Sequence, residues 1–362
     1  MSNVPMKPRI LSLLAFARQQ EQQMVNGLSD SERNAKGTLD NWEAKDFLVN
    51  ILLWKRLQTQ KLATALRGEQ PPVWRDAQPA HQINHQAFLD YENHDFQAIL
   101  AESARVYQAL IAQVEGMSEE ELSDPNRYDW QEGEPLWAET LGNGLWHPCH
   151  QLTNFYLRSG RRKQALQLQE ALLEAVRGAE LPPEDLGVAM YNQLCMYATN
   201  GWPEKALQLL PEALRLRPTL IEWSRHDTDL DGLRADPAFQ AIFSDPQLQA
   251  SAPVSVLVSA HKLAAGGAGD TSPLIIDVRG AAEYAAGHIQ GAVNIPMGQL
   301  SRKLKQIPRE RPIVTYCNMH HRGESRGERA AAQLREQGYQ ARTLDGGYPG
   351  WKDQGLPVEE KA

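Results

Sequence analysis

The stretch PIVTYCNMHHRGESRGERAAAQL, residues 312–334, decides how the C-terminal part of this chain folds. It opens as an apolar, β-rich run ending at Cys317, crosses a polar loop, and enters an Ala-rich segment with helical landmarks at Ala331, Ala332 and Leu334. Two further β-rich runs, LIIDV (274–278) and ARTLD (341–345), flank it, and helical segments are predicted over 297–306 and 326–337. Strands alternating with helices predict an α/β domain with a parallel sheet. In open parallel sheets ligands bind beyond the carboxyl ends of the strands, and Cys317 stands at such an end. Loop N–H groups and the positive end of the following helix both favour an anionic sulfur there, the form in which cysteine is a nucleophile. His320, His321, Arg322, Arg326 and Arg329 add positive charge. The competing reading is a buried core cysteine, an ordinary place for this residue type.

The flanking sequence favours the nucleophile. IIDVRGAAEYAAGHIQGAVNIP (275–296) and LDGGYPGWKDQGLPV (344–358) carry Asp277, Arg279, Glu283, Tyr284, Gly287, His288, Ile289, Asn294 and Pro296, then Gly346, Gly347 and Trp351. These residues resemble the rhodanese family over about 255–360, and Cys317 falls where that family carries its persulfide-forming nucleophile. The resemblance implies two-step sulfur transfer. A Cys317 thiolate takes the outer sulfur of thiosulfate or a persulfide, and a thiol or cyanide then collects it. Asn318, Met319, His320, His321, Arg322, Gly323, Glu324, Ser325 and Arg326 would form the substrate-binding loop. Asp277 and Arg279 would hold its frame, and His288 would be structural.

The loop departs from the family. An Arg five positions after the cysteine is the family's usual closing residue, and Arg322 satisfies that count. The helix landmarks Ala331, Ala332, Leu334 and Gly338 come later than usual, and aligning from them makes Arg326 the closing residue. The loop is therefore expected to be enlarged, either to admit a bulky donor or acceptor or as a surface insertion that costs little. The same fold and cysteine loop serve phosphatases and arsenate reductases, but with a compact loop. A further alternative is a non-catalytic redox-sensing or protein-interaction module.

The rest of the chain reads as helical. Residues 8–26 place Ile10, Leu13, Leu14, Ala17 and Met24 at helical spacing, and 41–67 place Trp42, Phe47, Leu48, Ile51, Leu52 and Leu57 likewise. Asp40 or Asn41 is the expected N-cap and Gly68 the stop. Pro71, Pro72 and Pro79 predict a loop over 71–84, and two more helices are expected near 95–115 and 135–158. Four helices with one long connection predict a bundle. DNWEAKDFLVNILLWKRL and the Trp- and His-bearing fourth helix resemble the DinB-like family, nearer the ClbS/DfsB group, over about 8–158. Many members of that family hold a divalent metal on three His. Here Asn50 and Gln151 stand at two of those places beside His147 and His150, so no metal is expected. His81, His85 and His94 are expected to be solvated or structural.

Between bundle and sheet, Tyr156, Gly160 and Ala165 align with Tyr197, Gly201 and Ala206, the second copy continuing to Ala213 and Pro218. The spacing resembles the tetratricopeptide repeat, although the copies are 41 residues apart rather than about 34. GAELPPEDLG accounts for the excess as a longer loop, TDLDGLRADPAFQAIF reads as a closing helix, and PQLQASAP (246–253) reads as a linker. The expected organisation is multidomain: an all-α DinB-like bundle (1–160), a tetratricopeptide-like helical bridge (161–250) and an α/β rhodanese domain (254–360).

Composition fits these readings. Of 362 residues, Lys plus Arg number 37 and Asp plus Glu 45, for a net charge of −8. That balance argues against a nucleic-acid partner, because phosphate binding needs concentrated positive charge. No apolar run approaches the ~20 residues of a membrane span. The first residues lack a small-residue cleavage site. Cys149, Cys195 and Cys317 are too few and too far apart for a disulfide framework. A cytoplasmic protein without cofactor is expected. Its partners would be a sulfur donor, a thiol acceptor and a protein on the helical region.

Overall fold

The amphipathic stripe of residues 8–26 folds as helix α1, Met6–Asn26, with Ile10, Leu13, Leu14, Ala17 and Met24 buried along one face. The structure is a computed structural model that describes residues 5–69, 80–128, 130–131, 133–252, 256–265, 272–319 and 325–359. The chain divides into two compact units, Met1–Tyr128 with Glu134–Leu181 and Asp129–Gly133 with Pro182–Ala362. Segment 161–250 is shared between them.

In the first unit α1 packs with α2 (Ala44–Leu66), α3 (Phe96–Gly116) and a fourth rod. That rod runs from Leu136–Leu141 through a π-helical turn, Gly142–Trp146, into α4, His147–Arg158. The wide turn directly precedes Pro148, which has no N–H to give and whose ring crowds the preceding turn. Helix α2 begins at Ala44 after Glu43, not after Asp40 or Asn41, because the Asp46 carboxylate reaches back to the Glu43 amide at 2.9 Å. The expected loop 71–84 is also corrected: a helix spans Ala80–Tyr91, and 70–79 lie outside the described residues. Asn84 on it accepts hydrogen bonds from Asn50 and Trp54 of α2, both at 2.9 Å, a tertiary contact that outweighs local polarity. A polar seam crosses the bundle. Lys55 and Glu21 form an ion pair with both side chains buried, and Arg18 adds bonds to Glu21 at 3.1 Å and Ser103 at 2.9 Å.

Helix α5, Arg162–Gly178, follows α4 through Gly160 at φ +72°. In the second unit α6 (Pro183–Thr199) and α7 (Pro203–Leu216) join through Gly201 at φ +77°. Left-handed backbone is cheap only for glycine, and each turn leads to a fully buried alanine, Ala165 and Ala206. Two expectations fail here. The closing helix is two pieces, a 3₁₀ turn at Thr228–Leu233 and a helix at Pro237–Ile242, because the Asp236 carboxylate caps a fresh start at the Ala238 amide. The linker 246–253 is mostly the helix Pro246–Ser251, with Leu248 buried; 253 lies outside the described residues.

The C-terminal sheet has strands β1 (Leu257–Val258), β2 (Leu274–Asp277), β4 (Val293–Asn294), β5 (Ile313–Tyr316) and β6 (Ala341–Leu344), ordered β1-β6-β5-β2-β4. All its pairings are parallel. Strand β3 (His288–Ile289) pairs antiparallel with β7 (Val358–Glu359) outside it. The sheet is covered on both faces, so β5 is buried at every position. Ile313 and Cys317 face one layer with Ala330, Ala331 and Leu334; Val314 and Tyr316 face the other with Val258, Leu344 and Trp351. Helix α8 is Ala281–Ala285, α9 Arg326–Glu336 and α10 Gly347–Asp353. The two alanines of α9 let it lie close against the sheet.

Leu334 anchors α9 and is fully buried. Leu334→Ala should lower stability by about 2–5 kcal/mol, read as the urea unfolding midpoint of the full chain. A change under about 0.5 kcal/mol would show that α9 is held by other contacts.

Candidate active site

Strands β2 and β5 run in register, Asp277 opposite Tyr316, so Asp277 and Cys317 stand at the same carboxyl edge. Cys317 is buried, and its Sγ accepts two backbone N–H groups, from Met319 at 3.2 Å and Gly327 at 3.4 Å. The Gly327 amide lies in the first turn of α9, where helix N–H groups have no internal partner. Ser325 caps that turn. Its hydroxyl accepts from the Glu328 amide at 3.1 Å while the Glu328 carboxylate accepts from the Ser325 amide at 3.3 Å. Met319 sits at φ +31°, a backbone strain that turns its amide toward the sulfur.

The other side of the cysteine is set by Gly346 and Gly347, at φ +74° and +55°. A Cβ on Gly347 would stand 2.2 Å from the Cys317 carbonyl oxygen. That oxygen accepts the Tyr348 amide at 2.8 Å, so α10 docks on the backbone of Cys317 itself. Gly327 is close-packed as well, 3.0 Å from a Thr343 methyl if it carried a Cβ.

Asp277 and Arg279 form a buried ion pair with three side-chain contacts between 2.6 and 3.1 Å. Burial opposes the Arg279 charge, but the hydrogen bonds and charge of Asp277 outweigh it and hold the guanidinium above its usual range. Arg279 also donates to the Gly287 carbonyl at 2.7 Å and to Asn318 Oδ1 at 3.4 Å, and lies 4.2 Å over the Tyr348 ring. Burial, with Asp277 adding to it, pushes the Tyr316 phenol upward, so it stays neutral; its oxygen accepts the Ile289 amide at 3.1 Å. His288 Nδ1 donates to the Tyr284 carbonyl at 2.9 Å, and the imidazole stacks on the Tyr284 ring, a structural place.

Of the expected loop residues, Asn318, Met319, Ser325 and Arg326 gather around Cys317; His320, His321, Arg322, Gly323 and Glu324 lie outside the described residues. The Arg326 guanidinium reaches the Glu283 carboxylate at 3.4–3.5 Å. Glu283 also accepts from Asn318 Nδ2 at 2.7 Å and from its own Gly280 amide at 3.1 Å. Sequence reasoning used Glu283 only as a family landmark. Its tie to both ends of the loop is visible only once the fold brings α8 beside Cys317.

In the first unit His147 Nε2 lies 2.8 Å from Asn50 Oδ1, while His150 is exposed beside Asn154. His81, His85 and His94 are exposed, the last packed against the Tyr91 ring. Among the described residues, Cys195, Asp227 and Asp229 could bring three ligand atoms within 4.8 Å, a grouping the sequence did not suggest. Asp227 is already engaged by the Tyr191 hydroxyl and the Asp229 amide.

Residues 259–354 match the Rhodanese-like domain family. A sulfurtransferase of Allochromatium vinosum is 37% identical over 86 residues, covering 24% of this chain and 77% of that protein. A thiosulfate sulfurtransferase of Actinobacillus pleuropneumoniae is 33% identical over 86 residues, covering 24% of this chain and 76% of that protein. An HTH-type transcriptional regulator of Mycobacterium tuberculosis, Rv0324, is 40% identical over 90 residues, and there the chain spans only 38% of the relative's length. No described helix is long and apolar enough to cross a membrane.

Gly347→Ala should cost about 1–3 kcal/mol and slow alkylation of Cys317 by displacing its backbone; unchanged melting and alkylation would show that the Gly347 contact is not tight. A second expectation concerns pH. Burial, with His150 nearby, pushes the His147 imidazole from 6.5 down to about 4. The unfolded chain binds that proton at higher pH than the folded one. Stability is therefore complete above about pH 6.5 and falls as pH drops toward 4, by about 1–3 kcal/mol. Urea midpoints at neutral and mildly acid pH should differ less in His147→Gln than in the wild type; equal slopes would exclude His147 as the source.

Proposed function

Since the chain belongs to the rhodanese-like family through residues 259–354, we propose that it is a sulfurtransferase carrying sulfane sulfur as a Cys317 persulfide. The observation that carries this reading is the Cys317 sulfur at the carboxyl edge of β5, facing the Met319 and Gly327 amides. In the first half-reaction the Cys317 thiolate attacks the outer sulfur of the donor. The donor's S–S bond breaks as the new one forms, and the donor leaves as sulfite or as a thiol that keeps the persulfide proton. In the second, an acceptor thiolate or cyanide takes the outer sulfur and Cys317 returns as thiolate. The two amides point at the Cys317 Sγ and stabilise the attacking thiolate without reorganising, and Arg326 stands at the start of α9 paired with Glu283. Asp277 and Arg279 hold the loop frame.

The helical part supplies a surface for a protein partner. Its DinB-like reading rests on the four-rod packing and the Asn50–His147 contact. Its tetratricopeptide-like reading rests on the matched turns at Gly160 and Gly201. Three free cysteines suit a reducing, cytoplasmic setting. A second reading, a redox-sensing module, is favoured by one observation: a relative named as a transcriptional regulator matches the same region.

Full-length protein treated with thiosulfate or a persulfide should gain one sulfur by intact mass. Cys317→Ser should gain none and lose transfer to cyanide. Cys149→Ser and Cys195→Ser should keep both, since burial pushes those thiols up and leaves them neutral. Equal loss in all three variants would remove Cys317 from its role, and a wild type that loads sulfur but passes it to no acceptor would favour the sensor.

A further inference from the structure

Three charged side chains stand inside the helical bundle, where an ion pair is a weak source of stability because desolvation offsets the Coulomb gain. Glu21 of α1 and Lys55 of α2 form an ion pair with both side chains 2% exposed. Arg18 of α1 joins it at 3.1 Å, its own side chain 16% exposed. The Tyr107 ring of α3 backs both cations, 5.7 Å from the Arg18 guanidinium and 5.9 Å from the Lys55 ammonium. Beside this group, α1, α2 and α3 border a cavity of about 240 Å³. Arg18, Glu21 and Ser103 contribute polar lining, and Val25, Leu48 and Leu100 contribute apolar lining.

Arg18 lines that space with only part of its guanidinium committed. Its Nη1 donates to Glu21 Oε2 at 3.1 Å and to Ser103 Oγ at 2.9 Å. Its Nε and Nη2 have no partner among the described residues. The N–H groups on that edge are parallel and spaced to meet the two oxygens of one carboxylate. Glu21 does not fill the place, because its two oxygens are divided between Arg18 and Lys55.

We propose that this cavity binds a small monocarboxylate with a short hydrocarbon tail, the carboxylate on the Nε–Nη2 edge of Arg18 and the tail against Leu48 and Leu100. Among the described residues two cations share one carboxylate here, so a single added negative charge completes the group. A dianion would set a second charge against Glu21, at a place where burial strengthens repulsion. The tail gains by leaving water for the leucine side chains. This site lies in the helical unit and is independent of the reading of Cys317.

Isothermal titration of the full chain with sodium hexanoate tests the assignment, with hexanamide as the neutral probe and sodium phosphate as the multiply charged one. Hexanoate should bind saturably at one site, at least about tenfold more tightly than hexanamide, the ordinary worth of a charge-assisted hydrogen bond. Phosphate should not displace it. Arg18→Gln should weaken hexanoate about tenfold and close its gap to hexanamide. Because Arg18 also braces Glu21, circular dichroism checks that this variant is folded. Leu100→Trp is the second variant. It leaves the three charges in place, fills the apolar side of the cavity and should abolish binding of both hexanoate and hexanamide. The assignment is overturned by any of four results: no saturable hexanoate binding, equal affinity for hexanoate and hexanamide, displacement by phosphate, or unchanged hexanoate binding in either folded variant.

Discussion

The buried pair of Asp277 and Arg279 is the constraint on which the C-terminal site depends. Removing both charges from water costs several kcal/mol per ion, so the arrangement persists only if nearly every polar atom is satisfied. The structure meets that demand. Asp277 accepts the Arg279 amide and its guanidinium, and Arg279 spends its remaining donors on Gly287 and Asn318. Each partner is a different piece of the site: the end of β2, the turn before β3, and the residue after Cys317. A single ion pair thus fixes where three segments meet.

Cys317 is held from the opposite side by backbone alone. Tyr348 N–H binds the Cys317 carbonyl, and Gly347 is the residue that lets α10 come that close. Carbonyl and sulfur of the same residue are therefore both engaged by amides, one from α10 and two from the loop and α9. This is preorganisation by dipoles, which need not move when charge builds on the sulfur. The carboxylates complete the logic. Among the described residues Asp277 and Glu283 oppose Arg279 and Arg326, while two oriented peptide N–H groups face the sulfur itself.

The three cysteines show why position outweighs residue type. Cys149 is fully buried in α4, and Cys195 lies in α6 against the Asp227 carboxylate, so burial and neighbouring negative charge hold both as thiols. Cys317 is as buried as they are, but it ends a strand where amide dipoles converge. The same residue type is packing material inside two helices and meets converging amides at a sheet edge.

That contrast also marks what the sequence could carry. The strand–loop–helix order around Cys317 and the parallel sheet were legible because periodicity and turn residues are local properties, whereas the places of Asp277 and Arg279 came from the resemblance to the rhodanese family. The bundle helices were legible for the same reason. Where local polarity misled, at residues 80–84 and 246–251, a tertiary partner or a cap had reclaimed the segment for helix, as Asn84 does for α2 and Asp245 for the Gln247 amide. The pairing of Arg326 with Glu283 was illegible for a stricter reason. The two are separated by 43 positions, and no spacing rule connects a helix cap on one side of a sheet with the first residue of a helix on the other. Counting from Cys317 or from the α9 landmarks names an arginine; only the fold says that this arginine arrives with its charge already answered.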